Sequence, residues 1–354
     1  MKQLLKDYKR IVIKIGSSLF CTQGQELDLV LIAKIAAQIS SLVKGGKEIV
    51  IVSSGAIALG MHKLRLGERP KGLDMLSASA AIGQNELMNA YSRFFGGRLH
   101  AAQILLTWED FDDRKRYLNA KATLLALLNL GNVVPIINEN DSISTEEIRF
   151  GDNDNLSAQV AGLVSADLLI MLSDVDGLLD RDKKVIRVVD EITPQIKALA
   201  CPTKKKTCVG GMVTKIEAAR IAMDSGIPCV IANGSREDII LSVIKEPEKQ
   251  GTLFVPKKGL AAKQRWLAFG TKSKGRIIVD EGAKRALLNK KSLLSVGVVA
   301  VEGDFLAGDI VSVRDKQDCE FGRGRAGLSG KDLNKVKGSR SDREVIHRDN
   351  IVIL

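Results

Sequence analysis

The stretch Val133–Ser157, VVPIINENDSISTEEIRFGDNDNLS, sets one apolar run against two bursts of amides and carboxylates. Val133, Val134, Pro135, Ile136 and Ile137 have the composition of a buried strand. They lead straight into Asn138, Glu139, Asn140 and Asp141, and a second polar burst, Gly151 to Asn155, follows a short loop. Residues of these types at such density are ordinarily turn formers, because they tolerate left-handed backbone and hydrogen-bond their own chain. A plain connector is one reading; the other is a strand that delivers polar side chains to a point. Repetition elsewhere in the chain favours the second.

Arg10–Ile15 (RIVIKI) is followed by Gly16, Ser17 and Ser18, and Glu48–Val52 (EIVIV) by Ser53, Ser54 and Gly55. Leu168–Leu172 (LLIML) ends at Ser173 and Asp174, and Ile227–Ala232 (IPCVIA) at Asn233 and Gly234. Five apolar strands thus close on polar or glycine residues. Helical periodicity separates most of them, as in Leu27–Val43 with its stop at Gly45 and Gly46. This is the pattern of a parallel α/β sheet, whose ligands bind in the crevice beyond the carboxyl ends of the strands. The five polar tips are then expected to share one site. A sixth strand over Gln103–Leu106 is expected inside an Ala- and Leu-rich helical region, residues 73–130.

Single residues at these tips admit two readings. Lys14 is either an edge or snorkelling lysine, or a functional cation placed two residues before a glycine-serine loop that could face an anion. Ser54 has the commoner alternative of capping a helix that starts near Ala56. Gly210 and Gly211 open a helix over Val213–Asp224, where a glycine pair lets backbone approach phosphate oxygens in the field of the helix dipole. Lys215, in the first turn, opposes that dipole, which suggests a paired anion.

A chain of 354 residues exceeds what one core usually supports. Pro, Gly and Lys gather between Pro247 and Ala262, which places the division between a domain over 1–260 and another over 264–354. The second alternates short strands (275–279, 296–301, 310–313 and 351–353) with one helix, Ala283–Leu288, as small barrels do. The start, MKQLLKDYKR, lacks the apolar block of a signal peptide, and no apolar run approaches a membrane span. A cytoplasmic protein without a membrane partner is expected. Five cysteines with no CxxC and only three histidines argue against a disulfide framework or a zinc site. Of the net charge of +11, residues 264–354 carry +6, from 18 Lys and Arg against 12 Asp and Glu. That excess suits an anionic partner or a set of solvated lysines. Gly322, Gly324 and Gly327 spell G-x-G-x-x-G, but the long helix and second parallel strand of a dinucleotide site do not follow. Neither a Walker A pattern nor an H-R-D loop with D-F-G occurs.

IVIKIGSS, IVIVSSGAIALG, PIINENDSI, FGDNDNLSA, LSDVDGL and GGMVTKIEAA, in that order, resemble the amino-acid kinase family, and most closely its glutamate-phosphorylating branch. Residues 265–354, with VDEGAKRALL and SLLSVGVVAVEGDFLAGD, resemble the PUA domain appended to many such enzymes. The resemblance implies an α/β fold, an open αβα sandwich on a mostly parallel sheet, with a small C-terminal β-rich PUA barrel. It implies transfer of phosphoryl from ATP to the γ-carboxylate of L-glutamate, giving L-glutamyl 5-phosphate and ADP, the first step toward proline. By match of motif, Lys14 and Lys215 would contact the phosphates and Asp154 would orient the lysines. Ser54, Asp141 and Asn153 would bind glutamate. Ser173, Asp174, Gly210, Gly211, Met212, Val213 and Thr214 would line ATP together with the two lysines. Mg2+ would arrive on the nucleotide rather than in a dedicated metal site, and proline feedback inhibition and a homo-oligomer, dimer or tetramer, are usual for the family.

Two departures fall on the purine side. Similar enzymes usually read Gly-Thr-Gly-Gly-Met where this chain has Cys208, Val209, Gly210, Gly211 and Met212, and the segment Asp180–Val209 is short. The chemistry suits the residues that remain. A carboxylate nucleophile is ionised at neutral pH and needs no general base, so the demand is for positioning and charge neutralisation, which lysines from two segments and Mg2+ meet. Two rival readings are an RNA-binding or RNA-modifying protein, through the basic PUA-like part, and a kinase of the same fold acting on N-acetylglutamate or aspartate. Against the first, RNA-stacking aromatics are only 4% of the chain.

Overall fold

The computed structural model describes residues 8–20, 28–143, 153–200, 211–256, 262–269, 273–339 and 344–354. The chain divides into two compact units, Met1–Asp110 with Lys115–Gly259, and Phe111–Arg114 with Leu260–Leu354. In the first unit the strands are β1 (Arg10–Ile15), β2 (Glu48–Val52), β3 (His100–Leu106), β4 (Val133–Glu139), β5 (Leu168–Ser173), β6 (Val188–Val189), β7 (Cys229–Asn233) and β8 (Gly251–Phe254). They form one sheet in the order β3-β4-β2-β1-β5-β7-β8-β6.

The five apolar runs of the sequence are the five contiguous middle strands, β4-β2-β1-β5-β7, and all their pairings are parallel. Their carboxyl ends therefore lie along one edge. Strands covered on both faces need apolar residues at every position, which is why they read as unbroken runs. Alternation along β1 separates the faces. Ile11, Ile13 and Ile15 enter the core with Ile32, Ile35 and Ile39 of helix Leu29–Lys44. Lys14 has the opposite parity, so it shares the other face with Val12. Helices Asn153–Val164 and Met212–Asp224 pack on each other, on β1 and β5, and on β7.

Three stretches depart from expectation. β3 begins at His100 rather than Gln103. β6 lies in the lysine-rich segment that carried no strand signal. β8, in the passage read as a domain boundary, is wholly buried and runs antiparallel to β7. Its backbone lies so close that a Cβ on Gly251 would stand 2.0 Å from the Ile231 carbonyl oxygen. A four-residue strand starting at glycine offers too little alternation to be recognised.

The second unit holds β9 (Gly275–Val279), β10 (Leu293–Leu294), β11 (Val298–Glu302), β12 (Ile310–Arg314), β13 (Glu320–Arg325), β14 (Glu344–Ile346) and β15 (Ile351–Ile353). A five-stranded sheet runs β11-β9-β12-β13-β15, and β10 pairs with β14. Gly322 and Gly324 sit in β13, between antiparallel partners β12 and β15. A Cβ on Gly324 would stand 2.7 Å from Ile346 Cγ2, so these glycines serve close packing inside a β-sheet core. Among the described residues, no helix is long and apolar enough to cross a membrane.

Candidate active site

The end of β1 and two helix starts of the first unit meet on one carboxylate. Asp154 is in the first turn of helix Asn153–Val164, where the dipole favours an anion. Its Oδ1 is 2.6 Å from Lys14 Nζ and its Oδ2 is 3.2 Å from Lys215 Nζ. Thr214 Oγ1 donates to the same Oδ2 at 2.7 Å. Asp154, Lys14 and Lys215 are 4%, 6% and 8% exposed, a level at which an unpaired charge would be prohibitive. Burial alone would raise the Asp154 pKa, but the Lys14 and Lys215 ammonium groups, with hydrogen bonds from Lys14 and Thr214, hold it below the ordinary value.

Lys14 is not at an edge, because β1 is flanked by β2 on one side and β5 on the other. The turn after it is tight: Gly16 N–H donates to the Leu172 carbonyl at 3.1 Å. A Cβ on Gly16 would lie 3.7 Å from Lys14 Nζ, so the ammonium sits directly over the glycine-serine loop. Gly211, with φ of +85°, caps helix Met212–Asp224 and places Thr214 and Lys215 in its first turn. That conformation is one glycine adopts without strain. Met212 and Val213 begin the same helix, and Gly210 lies outside the described residues. Ser173, at the end of β5, is buried and donates to the exposed Asp174 carboxylate at 2.9 Å.

Beside this cluster runs a second, uncharged network. Asn153 Nδ2 lies 2.7 Å from Ser53 O, 2.9 Å from Ser54 Oγ and 2.8 Å from Asn138 Oδ1. Asn153 Oδ1 is buried with no hydrogen-bond partner among the described residues. Ser54 is thus not the cap of helix Ala56–Lys63; Gly55, with φ of +99°, holds that position without a side-chain bond. Asp141 lies just past β4, where Ser77 Oγ donates to its carbonyl. It lines a cavity of about 290 Å³ together with Gln84, Gln103, Glu139 and Asn140. Burial raises its carboxyl pKa to about 6, against the opposing pull of Arg69. A larger cavity, about 720 Å³, lies in the second unit and is lined by none of these groups.

All the substrate- and phosphate-side residues chosen from sequence sit in these two networks or in the adjoining cavity. Sequence reasoning missed Ser53, Gln84, Gln103 and Asn138. Asn138 stood inside the quoted stretch, but nothing singled it out from its neighbours. Among the described residues no cluster of three or more His, Cys, Asp or Glu could hold a metal.

Residues 9–233 match the model of the amino acid kinase family, and residues 275–347 that of the PUA domain. The chain is 45% identical to the glutamate 5-kinase of Thermoanaerobacter sp. (strain X514), covering 98% of both chains. It is also 45% identical to the glutamate 5-kinase of Carboxydothermus hydrogenoformans, covering 100% of both. Among solved structures, the N-acetylglutamate synthase of Neisseria gonorrhoeae, complexed with coenzyme A and N-acetyl-glutamate, shares the fold. The TM-score is 0.52 at 18% identity, over 71% of this chain and 60% of that one. By the match to its family model and by full-length relatives at this identity, the chain belongs to the amino acid kinase family.

Proposed function

We propose that the chain transfers the γ-phosphoryl group of ATP directly to the γ-carboxylate of L-glutamate, giving L-glutamyl 5-phosphate and ADP, the entry to proline biosynthesis. The observation that carries the site assignment is the convergence of Lys14 and Lys215, 201 positions apart, on the two oxygens of one buried carboxylate. Two ammonium groups so placed can neutralise a phosphoryl group as it moves between anions, which is the main requirement of such a transfer. Asp154 holds both side chains in position before ligand arrives, so that little reorganisation remains for the reaction itself.

Glutamate is read by the uncharged network. Asn153 Oδ1 and the Asp141 carboxylate are both acceptors, a pairing that suits the donor-only α-ammonium of an amino acid. Ser54 completes that side. Ser173, Asp174 and the sequence Gly210 to Lys215 border the nucleotide. Lys14 and Lys215 would hold the phosphates, and Mg2+ brought in on ATP would supply further charge neutralisation. Proline inhibition and a homo-oligomer belong to the same proposal; a proline titration and sedimentation analysis test them.

The deciding experiment is formation of glutamyl hydroxamate from ATP, glutamate and hydroxylamine, which traps the acyl phosphate. Hydroxamate that depends on both substrates is expected. Turnover of N-acetylglutamate or aspartate in place of glutamate would overturn the substrate assignment while leaving the phosphoryl site standing.

A further inference from the structure

Helix Leu73–Phe95 brings a glutamine to the cavity beside Asp141 that has so far been given no role. Gln84 is 7% exposed. Its Oε1 accepts from Asn138 Nδ2 at 2.9 Å, and its Nε2 donates to Gln103 Oε1 at 3.4 Å. Asn138 Oδ1 in turn accepts from the Glu139 N–H at 2.9 Å and from Asn153 Nδ2 at 2.8 Å. A row of amides thus runs from the cavity to Asn153.

Each side-chain amide could be turned by 180° with little change of shape, but Asn138 and Asn153 also bond backbone groups that cannot turn. The Glu139 N–H can only donate, which obliges Asn138 to present Oδ1 to it and to send Nδ2 toward Gln84. The Ser53 carbonyl can only accept, which obliges Asn153 to send Nδ2 inward. Asn153 Oδ1 is then the atom left over, buried and without a partner among the described residues. Gln84 supplies the acceptor that makes this orientation of Asn138 affordable, since a buried Nδ2 without one would carry a desolvation cost.

The helix that carries Gln84 is held firmly. A Cβ on Gly83 would stand 1.8 Å from the Ala56 carbonyl oxygen, and one on Gly60 would stand 1.7 Å from that of Ser79. The two helices meet backbone to backbone, so position 84 has little freedom to adjust.

We infer that Gln84 is a positioning residue for glutamate selection: by accepting from Asn138 Nδ2 in the orientation the Glu139 N–H requires, it stabilises the arrangement that leaves Asn153 Oδ1 available as an acceptor for the substrate ammonium. This rests on the proposed glutamate reading. The test compares Gln84→Leu, which removes the acceptor, with Gln84→Glu, which keeps one. Glutarate serves as the probe, being glutamate without its ammonium. Gln84→Leu is expected to raise the glutamate KM about tenfold, the scale of one unpaired buried amide, with the KM for ATP within about twofold of the parent. Its preference for glutamate over glutarate in kcat/KM should fall by about the same tenfold factor, and Gln84→Glu should retain most of that preference. In an Asn153→Ala background, Gln84→Leu should add less than about twofold, because the two act through one atom.

A role confined to packing would lower Tm and leave the glutamate-to-glutarate ratio where it was, and that result overturns the inference. Full additivity with Asn153→Ala overturns it too. If Gln84→Leu does not fold, a well-folded Gln84→Glu that has lost the preference is equally decisive against it. A parent enzyme indifferent to glutamate would instead defeat the substrate assignment.

Discussion

Each unit contains an Asp–Lys pair with little-exposed aspartate, and the two pairs differ in what they leave undone. In the second unit, Lys284 Nζ is 2.8 Å from Asp315 Oδ2, and Asp315 Oδ1 accepts the N–H groups of Gln317 and Cys319. Those acceptances close the turn between β12 and β13, and the lysine is 27% exposed. That pair is structural, its aspartate tied to its own turn. In the first unit, two lysine side chains, 7% and 9% exposed, share a carboxylate that is 5% exposed, and all three come from distant parts of the chain. Charge gathered at such distance and depth gains little for stability over an apolar core. It suits a site that receives a polyanion.

Substitutions can break this contrast. The largest effect is expected from Asp154→Asn, which leaves two buried ammonium groups facing each other and should cost about 3–5 kcal/mol in urea unfolding. Asp154 has a folded-state pKa below its unfolded one, so its contribution is present at neutral pH and lost as pH falls through the depressed value. A loss under 1 kcal/mol, roughly, would show that Asp154 does not organise the lysines. Lys14→Ala and Lys215→Ala should each lower kcat by about 10² to 10³, the effect of losing one charge-stabilising donor. Unchanged turnover in both, measured by coupled ADP release, would remove the cluster from the reaction.

A pH series sharpens the glutamate side. Desolvation pushes the half-buried Asp141 carboxyl up to about 6, and only its ionised form can pair with an ammonium. As pH falls through 6, kcat/KM for glutamate should decline while kcat at saturation changes less, since bound ammonium draws the carboxyl pKa down. A flat profile between pH 5 and 7, roughly, would take Asp141 out of the pocket. The smallest effect belongs to the second unit: Lys284→Ala should lower Tm only slightly and leave kcat untouched. A kcat loss there would end the distinction between the two pairs.

The central sheet was legible because strands buried on both faces must be apolar at every step, and because each such run ended abruptly in polar residues. Lys14 was legible as an anomaly, a charge in an Ile and Val strand, and Lys215 as a cation against a helix dipole. Ordered motifs then brought Asp154, Asn153 and Asp141 into view. None of these signals required a contact to be known.

What the chain alone determined, then, was the five middle strands, their common direction and the polar tips they carry, since hydrophobic periodicity is a local property. Which atoms meet was decided only in three dimensions. The parity of Lys14 selects the face it shares with Asp154, and the approach of Gly60 and Gly83 seats Gln84. The direction in which the Asn153 amide points follows from two backbone groups, at Ser53 and Glu139, that it reaches through hydrogen bonds across the fold. Amide orientation depends on donors and acceptors brought together from remote segments, and no spacing along a sequence encodes it.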